Sequence, residues 1–306
     1  MTITDETTSL IVNQSASKRQ LWFAAIKPPM YTVAVIPISF GTAFAYAQTK
    51  IFHFEIFVTF LLSAILIIAW LNLSNDVFDS DTGIDVNKAH SVVNLTGNRT
   101  LVFWISNICL LLGLGGILLI NYWLQNWTLL WLITACCALG YSYQGPPFRL
   151  GYLGLGELIC FVTFGPMAIA ASYYSQTQVF SVSSLWASTI IGISTSIILF
   201  CSHFHQVKDD LAAGKKSPIV RLGTKLGSQI LIISVILFYG LCFLLTVMKI
   251  LPYSTLIVML SMPISYQLIN HVNQYHDQPE KVKNSKFIAV NYHFCSGILL
   301  CLGLIQ

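Results

Sequence analysis

The sequence predicts an all-α fold, a polytopic membrane protein of nine transmembrane helices, and three observations lead there. The 306 residues are 55% hydrophobic and only 9% charged, with a mean hydropathy of +0.71. Soluble domains carry about a quarter charged residues. Apolar runs long enough to cross a hydrocarbon layer of about 30 Å recur along the chain, without the short apolar-polar alternation of a membrane barrel. The charges between those runs fall on alternate sides, which fixes an orientation.

Residues 1–27 read as a polar tail followed by an interfacial helix. The first 16 residues offer little to bury. SKRQLWFAAIKPP, from Ser17, would set Trp22 and Phe23 among headgroups and Lys18, Arg19 and Lys27 toward water. No continuous apolar core marks a signal peptide there, and Asp5 and Glu6 argue against a transit peptide. Pro28-Pro29 breaks the chain ahead of a single domain over 28–306. Its spans are expected at about 30–48, 56–75, 101–121, 126–144, 155–174, 185–205, 228–248, 253–271 and 287–305.

With the N-terminus cytoplasmic, fourteen of the sixteen basic residues lie inside, Lys286 among them; Lys50 and Lys249 are the exceptions. The C-terminus is then expected on the opposite side. Eleven of the twelve acids also fall inside, all but Glu55. Acids do not set topology, so their concentration points to a functional cytoplasmic face. The eight cysteines all lie within apolar runs without CxxC spacing, and read as packing residues.

Asn72 to Arg99, NLSNDVFDSDTGIDVNKAHSVVNLTGNR, holds the first acid cluster. Asp76, Asp79, Asp81 and Asp85 fall within ten residues. If the second span continues as helix, Asn72 and Asp76, Asn75 and Asp79, and Asp76 and Asp79 lie three or four apart on one face. Amide and carboxylate oxygens so arranged suit Mg²⁺, which is commonly shared with substrate phosphates. A solvated helix end is the plainer alternative, but polar clusters in membrane segments are functional by default.

The sixth span ends in CSHFHQVKDDLAAGKKSPIVRLGTKLG, where His203, Gln206 and Asp210 would share a helical face. Lys215, Lys216 and Arg221 follow. Carboxylate, imidazole and cations together suit a metal-bound polyphosphate. Positive-inside topology accounts for some of the cations, though not for Asp210 or the histidines. Between the clusters, YSYQGPPFRLGYLGLGEL reads as a shaped turn. Its Tyr141, Tyr143 and Phe148 suit either an interfacial belt or a pocket for an aromatic substrate or carbocation. Gly154-Leu155-Gly156 follows no strand and is no dinucleotide fingerprint. The two clusters end the second and sixth spans, consistent with two four-helix units and a ninth span appended.

With Asn75-Asp76-x-x-Asp79 and Asp85, GPPFRLGYLGLGEL and HFHQVKDDLAAGKKSPIVRLGT in view, the chain resembles the UbiA-type intramembrane prenyltransferases from first span to last. The motifs look most like the menaquinone and phylloquinone branch. Gln206 stands where many members carry the first acid of DxxxD, and Gly83 where their first motif often has another acid. The resemblance implies a helical bundle with a central cavity open to the cytoplasmic side. It implies catalytic roles for Asp76, Asp79, Asp85 and Asp210, and Mg²⁺ held by Asn75, Asp76, Asp79 and Asp210. Lys88, Arg99, Tyr141, Arg149, His203, Gln206, Lys215, Lys216 and Arg221 would bind substrate, Arg149 and Lys88 being candidates for an acceptor carboxylate. The implied substrates are phytyl or a similar prenyl diphosphate and 1,4-dihydroxy-2-naphthoate, in a cyanobacterial plasma or thylakoid membrane. Homogentisate, 4-hydroxybenzoate and chlorophyllide are the rival acceptors. Neither nucleic acid nor an obligate protein partner is expected. A secondary transporter is the main rival of another class, but its acids belong near the bilayer midplane, whereas these cluster at cytoplasmic helix ends.

Overall fold

The computed structural model describes residues 22, 23, 26–82 and 91–306, which fold as an all-helical bundle. Eight helical stretches among the described residues are long and apolar enough to cross a membrane. They are Pro28–Thr49, whose regular α-helix is α1 (Thr32–Thr49), α2 (Phe54–Thr82), α3 (Arg99–Leu124), and, beyond the shorter α4, α5 (Gly156–Thr177), α6 (Val182–His203), α7 (Thr224–Val247), α8 (Tyr253–Tyr275) and α9 (Pro279–Ile305). The expected fourth span is helix α4 (Thr128–Gln144), whose 17 residues lie at the short limit for crossing a bilayer. Nine expected spans thus meet eight helices of full crossing length. Leu111, Ile236 and Phe243 are exposed on these helices, a surface that lipid rather than water would solvate.

The first span and α6 are the most buried and form the centre. The last span packs against α1, α6 and the first half of α8. Read from sequence as an appendage to two four-helix units, it instead completes the packing around the first span. Ile36, Phe40, Ile190, Phe238 and Tyr292 lie in the core it shares.

Helix α2 places the first cluster. Its 29 residues span about 43 Å at the α-helical rise, well beyond the hydrocarbon thickness, so its polar end projects past the apolar layer. The helix runs unbroken through Asp76 and Asp79 to Thr82, as the three- and four-residue spacing requires. The sixth span behaves differently. It ends at His203, a turn covers 204–206, and a new helix runs Val207–Ala212. The single helical face expected for His203, Gln206 and Asp210 is therefore interrupted.

Lys27 departs from its expected place toward water. Its ammonium lies 3.0 Å from Asp76 Oδ1 and its side chain is only 17% exposed. It has left-handed backbone angles just before the Pro28–Tyr31 turn, and this kink brings the side chain back to α2. The rest of the expected tail, residues 1–21, lies outside the described residues, as do 24 and 25.

Within α5 the backbone widens to a π-helical turn at Thr163–Met167, where Pro166 lacks the N–H of a regular helix. A Cβ on Gly165 would stand 2.9 Å from Gly192 Cα and 3.0 Å from Ser188 O, both backbone atoms of α6. Gly165→Ala is therefore expected to force α5 and α6 apart and cost about 1–3 kcal/mol. Thermal unfolding in detergent tests this; an unchanged melting temperature would show that the contact yields freely.

Candidate active site

Asp76 and Asp79 leave the end of α2 in different surroundings. Asp76 is 1% exposed; besides Lys27, its Oδ2 accepts the Val92 N–H at 3.0 Å. Asp79 Oδ1 accepts from Gln144 Nε2 at the end of α4. Asn75, on the same face as Asp79, lines a cavity. Asp81 points elsewhere and forms a two-toothed pair with Arg99, at 2.7 and 2.6 Å.

The second cluster is held by a buried chain of charged groups. Lys215 Nζ lies 3.4 Å from Asp210 Oδ1, and His203 Nδ1 lies 3.2 Å from Oδ2. The other imidazole nitrogen faces Glu157 Oε1 at 3.3 Å. Burial works to raise the Asp210 pKa, but the hydrogen bond from His203 and the Lys215 charge outweigh it, and the group is held below the usual carboxylate range. Asp210 is thus ionised at neutral pH. The turn at 204–206 makes this meeting possible: the Asp210 N–H donates to Gln206 O at 2.8 Å, and the Lys215 N–H to Asp210 O at 2.7 Å.

The loop between α4 and α5 joins the two clusters. Tyr152 hydroxyl lies 2.8 Å from Thr82 Oγ1 at the end of α2, while Tyr152 O accepts the Lys216 N–H at 2.8 Å. Gly154 has φ +76° and packs so closely that a Cβ would meet Lys216 O at 2.4 Å. Only glycine combines that backbone angle with that approach. Arg221 adds a hydrogen bond from Nε to Lys216 O at 3.1 Å. Behind the loop, Gly151 and Gly156 abut the Tyr143 ring. Glu157, Asp79 and Asp210 all lie within electrostatic reach of Tyr143.

Tyr143 also lines a largely apolar cavity of about 230 Å³. Its walls include Val33, Phe60, Ile68, Cys137 and Phe164; Asn72, Asn75, Ser202 and Lys286 supply polar groups. Thr163 lines it too, from the widened turn of α5. An apolar chamber with a few polar groups is the usual form of a small-molecule site.

The site residues read from sequence fall into distinct places. Asn75 reaches the cavity, Asp79 and Asp210 approach Tyr143, and Asp76 is tied to Lys27. His203 and Lys215 surround Asp210, whereas Gln206 stands at the N-cap position of the following helix without a side-chain capping bond. Lys216 and Arg221 hold the connecting loop, and Arg99 pairs with Asp81. Tyr141 donates to Pro146 O at 2.8 Å and packs edge-on to Phe78, leaving Tyr143, in the last turn of α4, as the aromatic of this stretch that lines the cavity. Arg149 has a left-handed φ of 44°, with its Nε buried and unbonded. Asp85 and Lys88 lie outside the described residues. Lys27, Gln144, Tyr152 and Glu157 were missed. Glu157 alone had a local signal, an acid in the first turn of an apolar span. All eight cysteines are free, as packing residues should be.

An all-helical bundle of long apolar helices, with an apolar chamber and two clusters of buried acids and cations, defines a class of integral membrane protein with a small-molecule chamber among its helices. The chain belongs to the UbiA prenyltransferase family, whose profile matches residues 34–292. It is 63% identical to 2-carboxy-1,4-naphthoquinone phytyltransferase of Synechocystis, over 97% of each chain. The chloroplastic protein of the same name from Arabidopsis thaliana is 43% identical, over 94% of this chain and 78% of its own. In fold the chain is similar to a UbiA homologue of Archaeoglobus fulgidus solved with GPP and Mg²⁺, at TM-score 0.59 and 15% identity, covering 92% of this chain and 99% of that one.

Proposed function

We propose that this chain transfers a phytyl or similarly long prenyl group from its diphosphate to 1,4-dihydroxy-2-naphthoate, with loss of the ring carboxylate, in phylloquinone or menaquinone biosynthesis. The observation that carries the reading is the joining of the two acid clusters through Tyr152, bonded to Thr82 and to Lys216, beside an apolar cavity lined by Asn75 and Tyr143. The relatives named as phytyltransferases support the donor and the naphthalene acceptor. The acceptor in their name, 2-carboxy-1,4-naphthoquinone, is the two-electron oxidised form of the dihydroxy acid. An allylic cation needs an electron-rich ring, and the dihydroxy form supplies it.

The cytoplasmic placement of the clusters and the N-in, C-out orientation rest on the distribution of basic residues. The similarity to the Synechocystis protein supports a plasma or thylakoid membrane of the cyanobacterial type.

Asn75, Asp76, Asp79 and Asp210 would hold Mg²⁺. Among the described residues no three His, Cys, Asp or Glu side chains come together to enclose a metal ion. These hard oxygen donors therefore suit an ion shared with diphosphate oxygens rather than caged by protein alone. When bound, the ion supplies positive charge to the departing diphosphate. Lys215, with Lys216 nearby, adds fixed cations at that end. The cavity keeps water from the prenyl carbon, and the Tyr143 ring face can stabilise positive charge there. The donor's C–O bond breaks with its electron pair leaving on diphosphate. A C–C bond forms at the ring carbon that carries the carboxylate; CO₂ then departs and returns its bonding pair to the ring.

Purified protein in lipid, given labelled phytyl diphosphate, is expected to prenylate the naphthoate and not 4-hydroxybenzoate, homogentisate or chlorophyllide. Prenylation of homogentisate or chlorophyllide without the naphthoate would overturn the acceptor while leaving prenyl transfer intact. A second test reads the cavity. Cys137 is buried in its wall, so Cys137→Phe is expected to cut use of phytyl diphosphate at least about tenfold by filling tail space. Dimethylallyl diphosphate should be used at the wild-type rate. Equal losses for both donors would place the tail elsewhere.

A further inference from the structure

We propose that Lys286, with Asn72, forms the subsite that recognises the acceptor's carboxylate; the inference rests on the naphthoate reading above. Lys286 stands in the first turn of the regular helix Ser285–Ile305 and is half-buried. Among the described residues lining the cavity it is the only charged one, set against walls that are otherwise almost wholly apolar. Neighbouring polar groups on that lining are few: Asn72, Asn75, Ser202 and the hydroxyls of Tyr143, Thr163 and Thr195. Asn72 Nδ2 is buried without a hydrogen-bond partner, a donor on the same cavity lacking an acceptor. A buried, unbonded amide nitrogen is costly unless an acceptor arrives. Ammonium and amide N–H together are the donor set for a carboxylate.

Lys286 stands on a different helix from Asn75, Asp76, Asp79 and Asp210, while Asn72 lies one turn before Asp76 on α2. Lys215, the loop cation bonded within the second cluster, does not line the cavity, whereas Lys286 reaches it from the last span. Arg149, a carboxylate candidate on sequence grounds, is not among the lining residues either. Ser285 beside Lys286 is anchored by a hydrogen bond to Cys201 O at 3.1 Å, which ties the start of this helix to the end of α6.

The experiment compares 1,4-dihydroxy-2-naphthoate with 1,4-dihydroxynaphthalene, the same ring without the carboxylate, under anaerobic conditions. Binding to the full chain in detergent is measured alongside turnover. Wild-type protein is expected to prefer the carboxylated ring, and Lys286→Gln to lose about tenfold to a hundredfold of affinity for it alone. Affinity for the carboxyl-free ring and KM for phytyl diphosphate should not change. Lys286→Arg keeps the charge and should retain most of the preference. Asn72→Ala should remove a smaller part of it. If Lys286→Gln raises the donor KM instead, or keeps the wild-type preference, the assignment is overturned. If Lys286→Gln fails to fold, the arginine variant decides: loss of the preference despite retained charge and fold would overturn the proposal. Wild-type protein that binds the naphthoate preferentially yet never prenylates it would defeat the functional reading and leave the subsite standing.

Discussion

Asp79→Ala and Asp210→Ala are each expected to lower prenyl transfer at least about a hundredfold while the protein remains inserted and folded. Each change removes a carboxylate that lies within electrostatic reach of Tyr143. If those carboxylates share Mg²⁺ with the diphosphate, raising the Mg²⁺ concentration should recover little of the loss, because the missing ligand orients the ion as well as attracting it. Asp209→Ala is the matched control. Asp209 neighbours Asp210 in sequence but is exposed, so its removal should leave turnover near wild type. Near-normal turnover of Asp79→Ala or Asp210→Ala, in the same lipid and at the same Mg²⁺ concentration, would show that the ligands are misassigned.

Lys215→Met is expected to cost stability as well as activity, by about 3–5 kcal/mol. Asp210 and Lys215 side chains are 1% and 8% exposed, so loss of the ammonium leaves a buried carboxylate without its lysine, with His203 still facing its other oxygen. Adding Asp210→Asn to Lys215→Met should recover much of that loss, since the charge left without its partner is removed. Thermal unfolding in one detergent compares the wild type with the two variants. A Lys215→Met protein that melts with the wild type would mean that water or His203 fully compensates Asp210. Activity alone could not separate this structural part from the proposed role of Lys215 at the diphosphate.

The sequence by itself located the long apolar helices and the first cluster because both depend on local properties; the count of nine spans meets eight helices of full crossing length and the shorter α4. In hydrocarbon every backbone N–H and C=O must be paired within the chain, so a long apolar run has to be helical and its length shows where it lies. Asn75, Asp76 and Asp79 could be assigned to one helix end because α2 continues through them, and within a helix spacing alone sets the face. The same rule was insufficient one cluster later. The helix stops at His203 and restarts at Val207, yet His203 and Asp210 still meet, through a turn that no apolar periodicity encodes.

Only the tertiary structure decided which groups answer those acids. Lys27 and Asp76 are 49 residues apart, and Asp79 and Gln144 are 65 apart. Glu157 reaches His203 from a different span. Helical period says which way a residue points on its own helix; it does not say which neighbouring helix lies there or at what height. That depends on packing, here on the close approach of Gly165 to Gly192 and on the last span lying against α1 and α6. The same packing turned Lys286 from one more cytoplasmic lysine in the sequence into the charged side chain on the cavity wall.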